Sequence, residues 1–201
     1  MRPHDLLRLK GGATVIADDA PAWMAASLER ANVVVVRRDS LRGDRVPVGV
    51  RGHTRDQRFA AHVHASAIDA VITPEALAQA AAWQTTSRRT LPIFRAMEYV
   101  ARAAADLSLT WGPGGSVGFE LATDTPTVSE TSDLDLIVRP TADHLAHHLQ
   151  AFRDAVAVLG PRIDTAIEAT CGSAALDEWL VSPQRVLIKT MNGPQLGAFA
   201  W

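Results

Sequence analysis

Residues 111–139 read WGPGGSVGFELATDTPTVSETSDLDLIVR, and the end of this stretch decides how the chain folds. Asp133 and Asp135 alternate with Leu134 and Leu136, and the run continues into Ile137 and Val138. A period of two is that of a strand, and it places both carboxylates on one face. Asp is disfavoured in strands. Residues two apart on a strand lie about 6.6 Å apart at their Cα atoms, close enough for both side chains to reach one cation or a pair of cations. Two like charges so placed call for a counter-ion.

Upstream, Gly112, Gly114 and Gly115 followed by Ser116 make a turn with little side-chain bulk. Backbone N–H groups and a hydroxyl can approach a polyphosphate there. The run lacks the Lys-Ser/Thr ending of a P-loop and is not a dinucleotide fingerprint followed by a helix, so by itself it reads as a turn. Next to Asp-Leu-Asp it gains meaning. Two divalent ions about 3.5–4 Å apart, clamping the attacking and leaving oxygens of a phosphoryl centre, use this carboxylate spacing. The bland alternative is an Asp-x-Asp face exposed at a sheet edge.

The glycine loop with Gly115-Ser116 and the Asp133-Leu134-Asp135 strand resemble the nucleotidyltransferase superfamily of the DNA polymerase β type. More narrowly, the chain resembles the malonate decarboxylase holo-acyl-carrier-protein synthase family, the phosphoribosyl-dephospho-CoA transferases. The resembling stretches are Arg2 to Leu7, Val48 to Gly52, Trp111 to Pro113 and on through Phe119-Glu120-Leu121, and Ser132 to Arg139, spread along nearly the whole chain. One departure is the separation of Ser116 from Asp133 by residues 117–132, longer than in the general superfamily pattern, which reads as an extended hairpin around Asp124-Thr125-Pro126-Thr127.

The resemblance implies a third carboxylate on a neighbouring strand. Asp164, between Ile163 and Thr165, fits, with Glu168 on the same strand face as its rival and an ion pair with Arg162 as its structural alternative. It further implies that the donor is 2′-(5″-triphosphoribosyl)-3′-dephospho-CoA and the acceptor a serine of the malonate decarboxylase acyl carrier protein. Asp133, Asp135 and Asp164 would then hold Mg²⁺, as two ions, with Mn²⁺ the other option, while Gly114, Gly115 and Ser116 hold the triphosphate. Attack on the α-phosphorus would release pyrophosphate. Two other readings keep the same residues: an enzyme transferring nucleotides from ATP to another small molecule or protein, and a non-catalytic partner-binding module of the same fold.

The chain has 201 residues, 47% hydrophobic and 21% charged, with a formal net charge of −2. This is the composition of an ordinary globular protein. The charge gives no case for nucleic-acid binding, no cationic and apolar leader is read at the N-terminus, and no spanning segment is read, because Arg37 and Arg38 cut short the run Val33 to Val36. A cytoplasmic enzyme is expected. Cys171 is the only cysteine, excluding an internal disulfide, and reads as small buried packing. Between 37 and 58 lie seven arginines (37, 38, 42, 45, 51, 55 and 58) against Asp39, Asp44 and Asp56, a local excess of four suited to an anionic ligand or an acidic protein.

The expected class is α/β (α+β), with a small α/β domain over residues 1–85 and a nucleotidyltransferase-like domain over 86–201 built on a mixed sheet with flanking helices. Short apolar runs at 13–17, 33–36, 46–50 and 59–63 alternate with helical signals at 22–30 and from the Thr73-Pro74-Glu75 cap to Trp83. Residues 84–90 read as the linker. Thr90 and Thr141 read as caps of helices with apolar stripes at Leu91, Phe94, Met97 and Val100, and at Leu145, Leu149, Phe152 and Val156. His144 and His148, four apart, and His62 with His64 read as solvated faces rather than metal ligands. Gly172-Ser173 reads as a cap of a short helix, and a last strand at 186–188 delivers Lys189, a point charge suited to a phosphate.

Overall fold

A computed structural model describes residues 1–54 and 56–201; Arg55, one of the seven arginines between 37 and 58, lies outside them. The N-terminal apolar runs become strands: β1 (Leu6–Leu9), β2 (Val15–Ile16), β3 (Val33–Val36), β4 (Arg45–Arg51), β5 (Arg58–His64) and β6 (Ile68–Ile72), with helix α1 (Trp23–Arg30) between β2 and β3. They form one antiparallel sheet in the order β2-β5-β4-β3-β1-β6. Alternation sorts its two faces. Leu7, Val34, Val36, Val48, Ala61 and Val63 point to one side and form a core with Met24 of α1. Leu6, Val35, Gly49 and Ala60 point to the other, towards the rest of the chain.

Helix α2 (Pro74–Gln79) follows, capped as expected by Thr73, whose Oγ1 accepts from the Ala76 amide at 3.1 Å. Next come α3 (Pro92–Asp106), β7 (Thr110–Pro113), α4 (Gly115–Thr123), β8 (Leu134–Arg139), α5 (Ala146–Ala157), β9 (Ile163–Ala169), β10 (Gly172–Ala175), α6 (Leu176–Val181), β11 (Val186–Thr190) and β12 (Gly193–Gly197). The second sheet has the order β12-β11-β10-β9-β8-β7. It is mixed, because α5 carries the chain from β8 back to a parallel β9 while the other neighbours are antiparallel. Leu134, Leu136 and Val138 are fully buried against Met97 and Val100 of α3 and Leu149 and Phe152 of α5. Each such side chain contributes about 1.5–3 kcal/mol by leaving water. The polar residues of the same strands therefore share the opposite face.

Several elements differ from the sequence reading. Residues 117–132 are not an extended hairpin, and the glycine turn does open a helix: α4 runs to Thr123, and Asp124, at φ 53°, turns the chain out of it. The return loop is held from within by Glu120, a buried carboxylate that accepts from Arg88 Nη1 at 2.9 Å and from the amides of Thr127 and Val128 at 2.7 and 2.8 Å. Gly172 and Ser173 belong to strand β10, and the helix after them begins at Leu176. Neither Thr90 nor Thr141 caps a helix; Leu91 and Leu145 stand at the N-cap positions. Strands β1 and β6 were not anticipated. Cys171 is exposed, since it sits at the tight connection between β9 and β10.

The first sheet ends at Ile72, and the segment that follows packs with the second unit. Gly112 of β7 lies so close to the backbone of Pro74 that a methyl group on it would overlap that backbone, and Trp83 is buried in the second core. Residues 74–85, assigned from sequence to the first domain, thus lie between the two units: Ala78, Ala81 and Trp83 join the second core, while Leu77 and Ala82 pack with Leu6, Ala31 and Val33 of the first. No described helix is long and apolar enough to cross a membrane.

Candidate active site

Asp133 directly precedes β8 and Asp135 is its second residue. In the parallel ladder Asp135 is the register partner of Asp164. Neighbouring strands run about 4.8 Å apart, so the carboxyl-bearing residues of β8 and β9 stand side by side on the face turned away from the helical core. Asp164 is nearly half exposed; its Oδ1 accepts from Nε of Arg162 at 3.1 Å, and Nη2 stands at 3.1 Å as an ion-pair contact. Among the described residues no three His, Cys, Asp or Glu side chains gather into a metal cage. Mg²⁺ does not need one, since it is commonly held by one or two carboxylates with substrate phosphates and water completing its shell.

The glycine loop is built against these carboxylates. The Gly114 amide donates to the Asp135 carbonyl at 2.8 Å, which fixes the loop to the end of β8. Gly115 has φ 53°, and a methyl group on it would overlap Asp135 Oδ2, so the position needs glycine both for its backbone and for its bareness. Ser116 lies in the first turn of α4, where amides have no intrahelical partner. Its Oγ accepts from Nη2 of Arg51, in the first sheet, at 3.0 Å, and its carbonyl accepts from Thr127 Oγ1 at 3.0 Å.

Glu168, the rival third carboxylate, has another task. It lies four residues beyond Asp164 on the same face, 3% exposed, and joins the two sheets. Both of its oxygens accept from Arg38 Nη2 at 2.6 Å, His4 Nε2 donates at 3.0 Å, and Arg139 Nη1 stands at 3.6 Å. Burial pushes its carboxyl up, but His4 and Arg38 outweigh burial and hold it at about 2. Arg139 also binds Glu75 through Nε at 2.5 Å, and Glu75 accepts from Arg2 at 3.0 Å. Lys189 is exposed on the same face, in β11; Ser173 pairs with both Lys189 and Glu168, which puts Lys189 level with Glu168 and two strands from β9. It is not brought to Gly115.

Of the two histidines read as a solvated helix face, only His148 is on α5; His144 precedes the helix and is buried, because the Thr141 turn and the Leu107 carbonyl satisfy its ring. His144 Nδ1 accepts from the amide and hydroxyl of Thr141 at 3.0 and 2.9 Å, and Nε2 donates to the Leu107 carbonyl at 3.3 Å, while His148 Nδ1 accepts from the Leu145 amide at 3.0 Å. Three residues that join the units were not singled out from the sequence: Arg51, His4 and Arg38. The arginine excess between 37 and 58 marks the neighbourhood of Arg38 and Arg51, and the stretches Arg2 to Leu7 and Val48 to Gly52 mark those of His4 and Arg51, without giving any of the three a role. Between the two sheets opens a cavity of about 420 Å³ whose wall includes Gly114 and Gly115.

Two family models match. The one described as the N-terminal domain of the phosphoribosyl-dephospho-CoA transferase MdcG matches residues 2–74, and the one described as its C-terminal domain matches residues 76–198. The junction between them falls where α2 begins. A phosphoribosyl-dephospho-CoA transferase of Pseudomonas syringae pv. tomato is 35% identical over 199 residues, covering 99% of this chain and 92% of its own length. Its counterpart in Klebsiella pneumoniae strain 342 is 38% identical over 200 residues, covering 100% and 96%. The counterpart in Pseudomonas aeruginosa is 36% identical over 203 residues, covering 99% and 93%. No solved structure matches the chain.

Proposed function

The chain belongs to the phosphoribosyl-dephospho-CoA transferase family, and from that premise we propose that it moves the phosphoribosyl-dephospho-CoA group of 2′-(5″-triphosphoribosyl)-3′-dephospho-CoA onto a serine of the malonate decarboxylase acyl carrier protein. The observation that carries this reading is the meeting of Asp135 with the bare Gly115 loop, with Asp164 in register beside it. A triphosphate laid on Gly114, Gly115 and Ser116 would meet backbone amides at the start of α4 and place its α-phosphorus towards the carboxylate face. The same combination supports a place in the DNA polymerase β-type nucleotidyltransferase superfamily.

The acceptor serine Oγ attacks the α-phosphorus, its proton leaves to the exposed carboxylate of Asp164, and the bond from the α-phosphorus to the bridging oxygen breaks, so pyrophosphate departs with that electron pair. Asp133, Asp135 and Asp164 would hold Mg²⁺, or Mn²⁺ in its place, which when bound neutralises charge on the triphosphate and the leaving pyrophosphate. Ser116, fixed by Arg51 and Thr127, keeps the loop in one geometry, so the contribution of these residues is positioning and electrostatics rather than a covalent intermediate. An exposed free thiol at Cys171 is compatible with a reducing compartment, in keeping with a reaction in the cytoplasm.

The test offers the purified carrier protein to the enzyme with the triphosphoribosyl donor in one arm and ATP in the other, each with Mg²⁺, and reads the acceptor by intact mass. A mass gain equal to phosphoribosyl-dephospho-CoA in the first arm alone is expected. A gain of adenylate from ATP, with none from the donor, would replace this reading by the general nucleotidyltransferase one.

A further inference from the structure

The cavity between the sheets has a distinctive floor. On the face of the first sheet that points to the second unit, Gly49 pairs with Ala60 across β4 and β5, and Arg51 pairs with Arg58 one step further along. Two minimal side chains thus leave a flat patch of backbone beside two guanidinium groups. The side chain of Arg37 runs past Gly49 within van der Waals reach, Cγ and Cδ standing 3.7 Å from where a methyl group on that glycine would sit. Across the cavity stand Leu77 of α2 and Phe119 of α4, and the Arg51 guanidinium lies 5.7 Å from the centre of the Phe119 ring. Among the described residues, Arg37, Arg51 and Arg58 and no carboxylate line the space.

Apolar walls, a flat bare floor and a cluster of positive charge suit a planar aromatic group joined to phosphate. The volume of about 420 Å³ falls in the usual range for small-ligand sites, about 300–1,000 Å³. Position narrows the choice further. Gly114 and Gly115 belong both to the cavity wall and to the proposed triphosphate loop, so a donor whose phosphates rest at Gly115 has this space open to the remainder of the molecule. Arg51 ties the two together, reaching from the floor to Ser116.

Resting on the transfer reaction above, we propose that this cavity holds the adenosine diphosphate part of the donor's dephospho-CoA arm. The base lies on the Gly49–Ala60 patch between the apolar walls, and the diphosphate faces Arg37 and Arg58. The first domain is then the part of the enzyme that selects a CoA-derived donor, while the second carries the chemistry. ATP has the same base, but its triphosphate sits directly on the adenosine. The base and the triphosphate loop would therefore be one ribose too close to be occupied together, which gives a physical reason for discrimination between the two donors.

The probe is dephospho-CoA itself, which lacks the triphosphoribosyl group, titrated by calorimetry without divalent metal into the full chain. Wild type should bind it saturably, and ADP should compete while pantetheine does not. Arg58→Ala removes a charge and Ala60→Trp fills the floor; both positions are exposed on β5, so the core is untouched and melting temperatures should match wild type. Each variant should weaken binding at least tenfold. Wild-type affinity in both variants, or no saturable binding by wild type, overturns the assignment. Variant-insensitive binding alongside normal transfer removes this cavity and leaves the reaction standing; variant-sensitive binding without any transfer to the carrier protein keeps the cavity and removes the reaction.

Discussion

Asp135 and Gly115 set the tolerances of the site. Gly115→Ala adds a methyl group at φ 53° where Oδ2 of Asp135 already stands, so either the loop or the carboxylate must move. A displacement of about 1 Å at a reacting centre costs on the order of a hundredfold in rate, and a loss of that size in turnover is expected from this one substitution. Asp164→Asn keeps the shape and removes the charge. Donor affinity measured by calorimetry should survive, while single-turnover transfer to the carrier protein falls by about 10²–10⁴-fold; an unchanged rate would leave Asp164 as no more than the partner of Arg162. Glu168 makes the opposite kind of prediction. Its folded carboxyl sits near 2 against an ordinary 4.5, so its ion pairs contribute about 3 kcal/mol of stability at neutral pH. Because the folded value is the depressed one, that contribution is complete above pH 4.5 and is lost as pH falls towards 2. Glu168→Gln should lower the unfolding free energy obtained from urea titration at pH 7 by an amount of that order and flatten the wild-type pH dependence in that window.

Among the elements, α4 and its return loop show where the sequence was legible and where it was not. The strands at 33–36, 46–50, 59–63 and around Asp135 and Asp164 carry dense β-branched or alternating runs, and the structure has strands there. α4 hides its helical character behind Gly114, Gly115 and Gly118 at one end and Asp124-Thr125-Pro126 at the other, all turn-like locally. What makes it a helix is tertiary: Phe119 is buried beneath the first sheet, and Glu120 is neutralised by Arg88, 32 residues away in sequence. β1 has only four residues, and its partners β3 and β6 lie far along the chain, so nothing local announces it. The chemistry of Asp133, Asp135 and the glycine turn could be read because it is concentrated in one stretch. The arginines of the first sheet could be counted but not aimed. Glu120→Ala leaves Arg88 without its buried carboxylate and frees the amides of Thr127 and Val128; a loss of about 2–4 kcal/mol is expected, with proteolysis beginning between 124 and 132.

For the whole molecule, two sheets share one site. The first supplies Arg51 to Ser116 and the floor of the cavity, and the segments flanking its β1 and β3 supply His4 and Arg38 to Glu168; the second contributes the carboxylates and the glycine loop. Arg42, in the turn before β4, and Arg45, its first residue, are both exposed and belong to the local arginine excess, so an acidic carrier protein would meet them on approach. Reversing both to Glu should slow association and reduce its salt sensitivity while leaving dephospho-CoA binding unchanged, as stopped-flow measurements at several ionic strengths would show. The most direct measurement concerns the carboxylate face: pyrophosphate released per acceptor serine modified, followed over time for wild type and for Asp135→Asn with donor, Mg²⁺ and carrier protein present. Wild type should release one pyrophosphate for each serine that gains phosphoribosyl-dephospho-CoA, and Asp135→Asn, though folded, should release essentially none. Release by Asp135→Asn at the wild-type rate and with the same metal dependence would contradict the assignment of the site.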